Sequence, residues 1–63
     1  MANPTLDRLR RQAREAFARA AMHQRQGETD EAAAAKAFAR RCEEAAKQIV
    51  DDIRERRRHQ RGH

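Results

Sequence analysis

Two helices folded back on one another as an antiparallel hairpin, an all-α arrangement, best account for the 63 residues of this chain. Apolar residues recur in steps of three and four rather than in alternation, which is the spacing of one helix face. Helix-breaking chemistry occurs at only two interior places, Asn3-Pro4 and Gly27. The composition, with 14 Ala, 13 Arg, a single Pro and neither Trp nor Tyr, favours helix over strand.

The first helix is expected over about 4–26. Asn3 is a preferred N-cap residue, Pro4 suits the first helical position, and Asp7 places negative charge against the positive end of the helix dipole. Gly27 suits the left-handed residue that ends a helix, so a turn is expected over about 27–29. Thr29 or Asp30 then caps a second helix over about 30–57, with Glu31 in its first turn. Such a short connection makes the two helices antiparallel. A basic C-terminal tail, about 54–63, either extends the second helix or frays toward Gly62.

The apolar stripes support the pairing. One holds Leu6, Leu9, Ala13, Ala16, Phe17, Ala20 and His23; the other holds Ala35, Phe38, Cys42, Ala45, Ala46, Ile49 and Ile53. In an antiparallel hairpin the numbers of facing residues sum to a constant, here roughly 55. Leu6 then meets Ile49, Leu9 meets Ala46, Ala13 meets Cys42, Ala16 meets Ala39, Phe17 meets Phe38, and Ala20 meets Ala35. On this register the two phenylalanines form an aromatic pair in the core, Cys42 is a small buried residue, and the chain from Ile53 onward overhangs the first helix.

Leu, Ile, Val and Phe together number only seven. A lone hairpin with so few large apolar residues is short of core, so a homodimer forming a four-helix bundle is expected. Phe17, Ala21, Val50 and Ile53 are the candidate self-association residues. The alternative is an interaction module whose apolar flank docks on a different protein.

Charge is segregated along the chain: residues 1–26 carry +4, 27–53 carry −3 and 54–63 carry +4. The antiparallel register gathers Arg8, Arg10, Arg11 and Arg14 at the same pole as the arginines of the tail. Guanidinium groups bind phosphate in bidentate fashion. Arg8, Arg11, Arg14, Arg54, Arg56, Arg57, Arg58 and Arg61 are therefore the candidate residues for binding nucleic acid, RNA or DNA, or a ribonucleoprotein. No aromatic residue interleaves with them, which points to backbone contacts rather than base stacking. Arginines near a helix C-terminus also complement its dipole, and a charged face can serve solubility alone. The acids read structurally: Glu28, Asp30 and Glu31 sit at the dipole end of the second helix, and Arg40–Glu44 and Glu43–Lys47 are expected surface pairs.

Other functions are disfavoured. No nucleophile stands with a base, and two helices enclose no pocket, so a non-enzymatic role is expected. His23, His59 and His63 with the lone Cys42 offer no zinc spacing, so neither metal nor cofactor is expected. A single cysteine fits a reducing, cytoplasmic compartment. No apolar run reaches the roughly 18 residues of a membrane span, and no signal-peptide core begins the chain. Abundant Arg and Ala with scarce Lys is the composition expected of a GC-rich, bacterial genome.

In length and hairpin layout the chain resembles the repressor-of-primer family, small helical hairpins that pair into four-helix bundles. That resemblance implies dimerisation and RNA binding through an exposed bundle face. No residue motif is shared, so no RNA-contacting residue carries over. The stretch Ala20–Ala46 is also similar to a tetratricopeptide hairpin, with Gly27 at the turn and Ala39 and Ala46 at small-residue positions. His23, Gln26 and Asp30 depart from that pattern, which has larger apolar residues at those places.

Overall fold

The computed structural model describes residues 3–61, with side chains described through His59. They form two helices, α1 (Pro4–Arg25) and α2 (Thr29–Arg61), joined by a three-residue turn. The Asn3 side chain accepts a hydrogen bond from the Leu6 N–H at 3.0 Å, and Pro4 opens the helix where its missing N–H leaves no bond unmade. At the other end, Gly27 adopts φ +79°. Its N–H donates to the Gln24 carbonyl at 3.2 Å, and the Glu28 N–H donates to the His23 carbonyl at 2.8 Å. This pair of bonds is a Schellman motif, which satisfies carbonyls that the end of α1 would otherwise leave open.

The start of α2 differs from expectation. Helical geometry begins at Thr29, and the Glu28 carbonyl accepts the first intrahelical bond from the Ala32 N–H at 3.0 Å. Glu28 therefore occupies the cap position expected for Thr29 or Asp30. The Schellman turn is responsible, because it ends at Glu28 and delivers the chain directly into the next helix. Glu28 also brings its carboxylate to 3.5 Å from His23 Nδ1 across the turn.

The far end of α2 takes the first of the two courses expected for the tail. It continues to Arg61 rather than ending near 57, so the basic tail is helix through that residue; positions 62 and 63 lie outside the described residues. Arginine is a good helix former, and no breaker occurs before Gly62. At 33 residues against 22, α2 exceeds α1 by about 16 Å at 1.5 Å per residue. That excess projects past the first residue of α1 and helps stretch the molecule to 56 Å along its long axis.

Small residues hold the helices together. Ala13, Ala16, Ala20, Ala32, Ala39, Cys42 and Ala46 are buried, with Ala16 and Ala39 fully so. Cys42 Sγ lies 3.9 Å from Gln12 Oε1, a cross-helix contact whose residue numbers sum to 54. The expected height of one helix against the other is therefore kept at the centre. Nearer the turn, Lys36 Nζ donates to Gln24 Oε1 at 3.3 Å. This longer step follows from side-chain direction, since each leans toward its own helix N-terminus and the two tips converge.

The aromatic pair is the principal correction to the packing. Phe17 and Phe38 share a height but not a face, and they are 38% and 40% exposed. Phe17 is one step after the fully buried Ala16, and Phe38 is one step before the fully buried Ala39. Each step is about 100° of turn, and antiparallel helices turn in opposite senses when viewed from one end. One step forward on α1 and one step back on α2 thus lead to opposite faces of the hairpin. The close alanine seam leaves no room for either ring between the helices. Ala32, which the stripes left out, is buried, whereas Ala35 is only half-buried.

Candidate nucleic-acid interface

The face that carries Phe17 holds an open groove of about 490 Å³ between the helices. Ala13, Phe17, Ala46 and Val50 form its apolar floor. Its rim holds Arg10, Arg14, Lys47 and Arg54, with Glu43 and Asp51 among them. Arg10, Arg14 and Phe17 share a stripe of α1 at i, i+4 and i+7, which is why they meet one groove wall. Arg54 reaches the groove from beyond the start of α1. Side chains of α2 lean back toward the turn, while those of α1 lean toward the pole, so Arg10 and Arg54 converge.

The predicted arginines therefore do not make one patch. Arg14 and Arg54 line the groove. Arg8 precedes the seam residue Leu9 by one step and lies on the opposite, Phe38 face, as Arg56 does about five helical turns after Phe38 itself. Arg11 points away from α2 altogether, half a turn from the buried stripe of Ala13, Ala16 and Ala20. Arg57 and Arg58 stand exposed on the projecting end of α2, and the Arg61 side chain lies outside the described residues. The pole is basic on all sides rather than on one surface. Sequence reading left Arg10 out of the candidate set and gave Lys47 only a pairing role; the shared spacing of Arg10, Arg14 and Phe17 was the signal for the first.

Those of these cations whose side chains are described stand apart from every described carboxylate. Among the described residues, no arginine or lysine lies within ion-pair distance of a carboxylate; the one such contact is His23 with Glu28. The expected pairs Arg40–Glu44 and Glu43–Lys47 are thus not formed. Exposed long side chains gain little from pairing across water and lose rotamer entropy when held, which accounts for their separation. Arg54, Arg56, Arg57 and Arg58 are all exposed, and their guanidinium groups are open to an anionic partner.

The four residues expected to drive self-association are also distributed. Phe17 and Val50 share the groove. Ala21 continues the Phe17 stripe one turn toward the hairpin bend and is exposed, and Ile53 is half-buried at the start of the projecting segment. Among the described residues no three metal-binding side chains converge, and no helix is long and apolar enough to cross a membrane. His63 lies outside the described residues.

No protein-family model matches the chain, and comparison with curated proteins and with solved structures gives no match in either case. The likeness to repressor-of-primer and tetratricopeptide hairpins is accordingly one of layout, and the functional reading rests on the chain's own residues.

Proposed function

We propose that this is a non-enzymatic helical hairpin that binds nucleic acid, free or in a ribonucleoprotein, through its arginine-rich pole. The observation that carries the reading is a cluster of exposed guanidinium groups at one end, unpaired among the described residues. Arginines that only stabilise a helix end need not accumulate to four within five residues, as at Arg54–Arg58. Contacts to roughly five phosphates give micromolar, salt-sensitive affinity. The lone, buried Cys42 supports a reducing compartment such as the cytoplasm.

Self-association into a four-helix bundle belongs to the same proposal. Its support is the groove floor of Ala13, Phe17, Ala46 and Val50, apolar surface that a second hairpin would remove from water. The second reading, a module that docks on a different protein, draws on the same floor.

Absorbance separates these readings. The chain has no Trp or Tyr, so nucleic acid that travels with it dominates the signal near 260 nm. Untagged protein taken from cells should run on size exclusion with light scattering as a dimer carrying 260 nm absorbance that high salt removes. A dimer without that absorbance at low salt refutes the nucleic-acid reading and favours the protein partner. A monomeric mass refutes self-association.

A further inference from the structure

We propose that the projecting end of α2 enters the major groove of duplex DNA, with Arg54, Arg56, Arg57 and Arg58 reaching phosphates on both groove walls. The inference rests on the reading of the pole as a phosphate-binding site and names the form of nucleic acid that fits it. Shape carries the first step. Beyond the start of α1 the described residues form a single helix, and an α-helix with its side chains is about 10–12 Å across. The B-form major groove is about 12 Å wide and 8.5 Å deep. The two-helix body, 18 Å across in its wider direction, does not fit. The single-helix segment, about 16 Å long, is sufficient to reach the groove floor.

Charge direction carries the second step. Successive residues turn by about 100°, so Arg54, Arg57 and Arg58 share one side of the helix at i, i+3 and i+4, while Arg56 lies about 160° from Arg54 on the other. A flat anionic surface would meet those three and leave Arg56 out. A groove with phosphate walls on either side meets all four, and the segment Arg54–Arg58 keeps a charge of +3 after Glu55 is counted. Arg8 and Arg10, just behind on α1, then come to rest at the groove edge. The alternatives fit less well. The major groove of an RNA duplex is deep and narrow and closes to a helix, and a single strand would call for Phe, Tyr or Trp platforms, of which this end has none.

The test uses the full chain and fluorescence anisotropy with a labelled 20-base-pair DNA duplex, its RNA counterpart and the corresponding single strand. Two further arms use DNA whose major groove is filled by glucosylated hydroxymethylcytosine, and plain duplex saturated with a minor-groove ligand. The expected result is binding to the DNA duplex about tenfold tighter than to the RNA duplex or single strand. Major-groove glucose should weaken it about tenfold, and the minor-groove ligand should leave it unchanged. Equal affinity for the RNA duplex, tighter binding to the single strand, or displacement by the minor-groove ligand alone overturns the groove assignment while leaving the pole as a phosphate site. Absence of binding to every nucleic acid overturns the reading of the pole itself.

Discussion

Replacing Gly27 by L-alanine and, in a second synthetic chain, by D-alanine isolates the contribution of the turn. Gly27 has φ +79°, and a Cβ built there meets nothing within 4 Å. Any effect of the L-residue is therefore backbone strain and not a clash. A left-handed conformation costs an L-residue about 1–2 kcal/mol. D-alanine favours that conformation and restricts the unfolded chain, so it should stabilise by about 0.4–1 kcal/mol. The two variants should differ by about 2 kcal/mol. In a domain of this size each kcal/mol moves Tm by roughly 4–8 °C, which separates the melts by about 10 °C. Circular dichroism at 222 nm, at one fixed protomer concentration, reads the difference directly. Equal melting of the L-variant and the parent, or a D-variant that melts below the parent, would refute the account of the turn.

Other consequences follow from the packing. Phe17→Ala and Phe38→Ala should be additive within about 0.5 kcal/mol, because the rings occupy opposite faces; denaturant melts of the two single variants and the double variant measure this. A coupling of about 1 kcal/mol, as for an aromatic pair in contact, would contradict that placement. Ala16→Leu should destabilise the hairpin by about 1–3 kcal/mol by forcing a larger side chain into the fully buried seam, whereas the same change at exposed Ala18 should be nearly neutral. Cys42, buried beside Gln12, should react with a thiol reagent slowly in the native chain and rapidly in denaturant. Phe17→Glu should halve the mass of the associated species while leaving helicity intact, and an unchanged mass would remove Phe17 from the self-association surface.

The hairpin was legible wherever local chemistry decides. Asn3, Pro4 and Gly27 each act within one turn of the chain, and each occupies the role its side chain implies. The height of one helix against the other was also legible, because pairing Ala13, Ala16 and Leu9 with small partners leaves little freedom. Facing was not. A level pairing says nothing about rotation, so Phe17 and Phe38 matched in height while their positions beside the seam sent them to opposite faces. Whether α2 runs on through the basic tail stayed open because its last turns have no packed neighbour among the described residues, and a solvated arginine helix reads like a tail. For the candidate site, the pole was legible from charge segregation alone. The distribution around it required the observed seam, which turns Arg11 outward and draws Arg10 into the groove.

The central claim is that the pole binds nucleic-acid phosphates, and its most direct test is the salt dependence of binding for two proteins. One is the parent chain; the other carries Arg54→Gln, Arg56→Gln, Arg57→Gln and Arg58→Gln. Each phosphate contact on a DNA duplex contributes about −0.9 to the slope of log affinity against log salt. The parent should show a slope of about −4 or steeper, and the variant should lose about 3.6 of it while keeping its helicity. An unchanged slope in a folded variant would contradict the assignment of the pole.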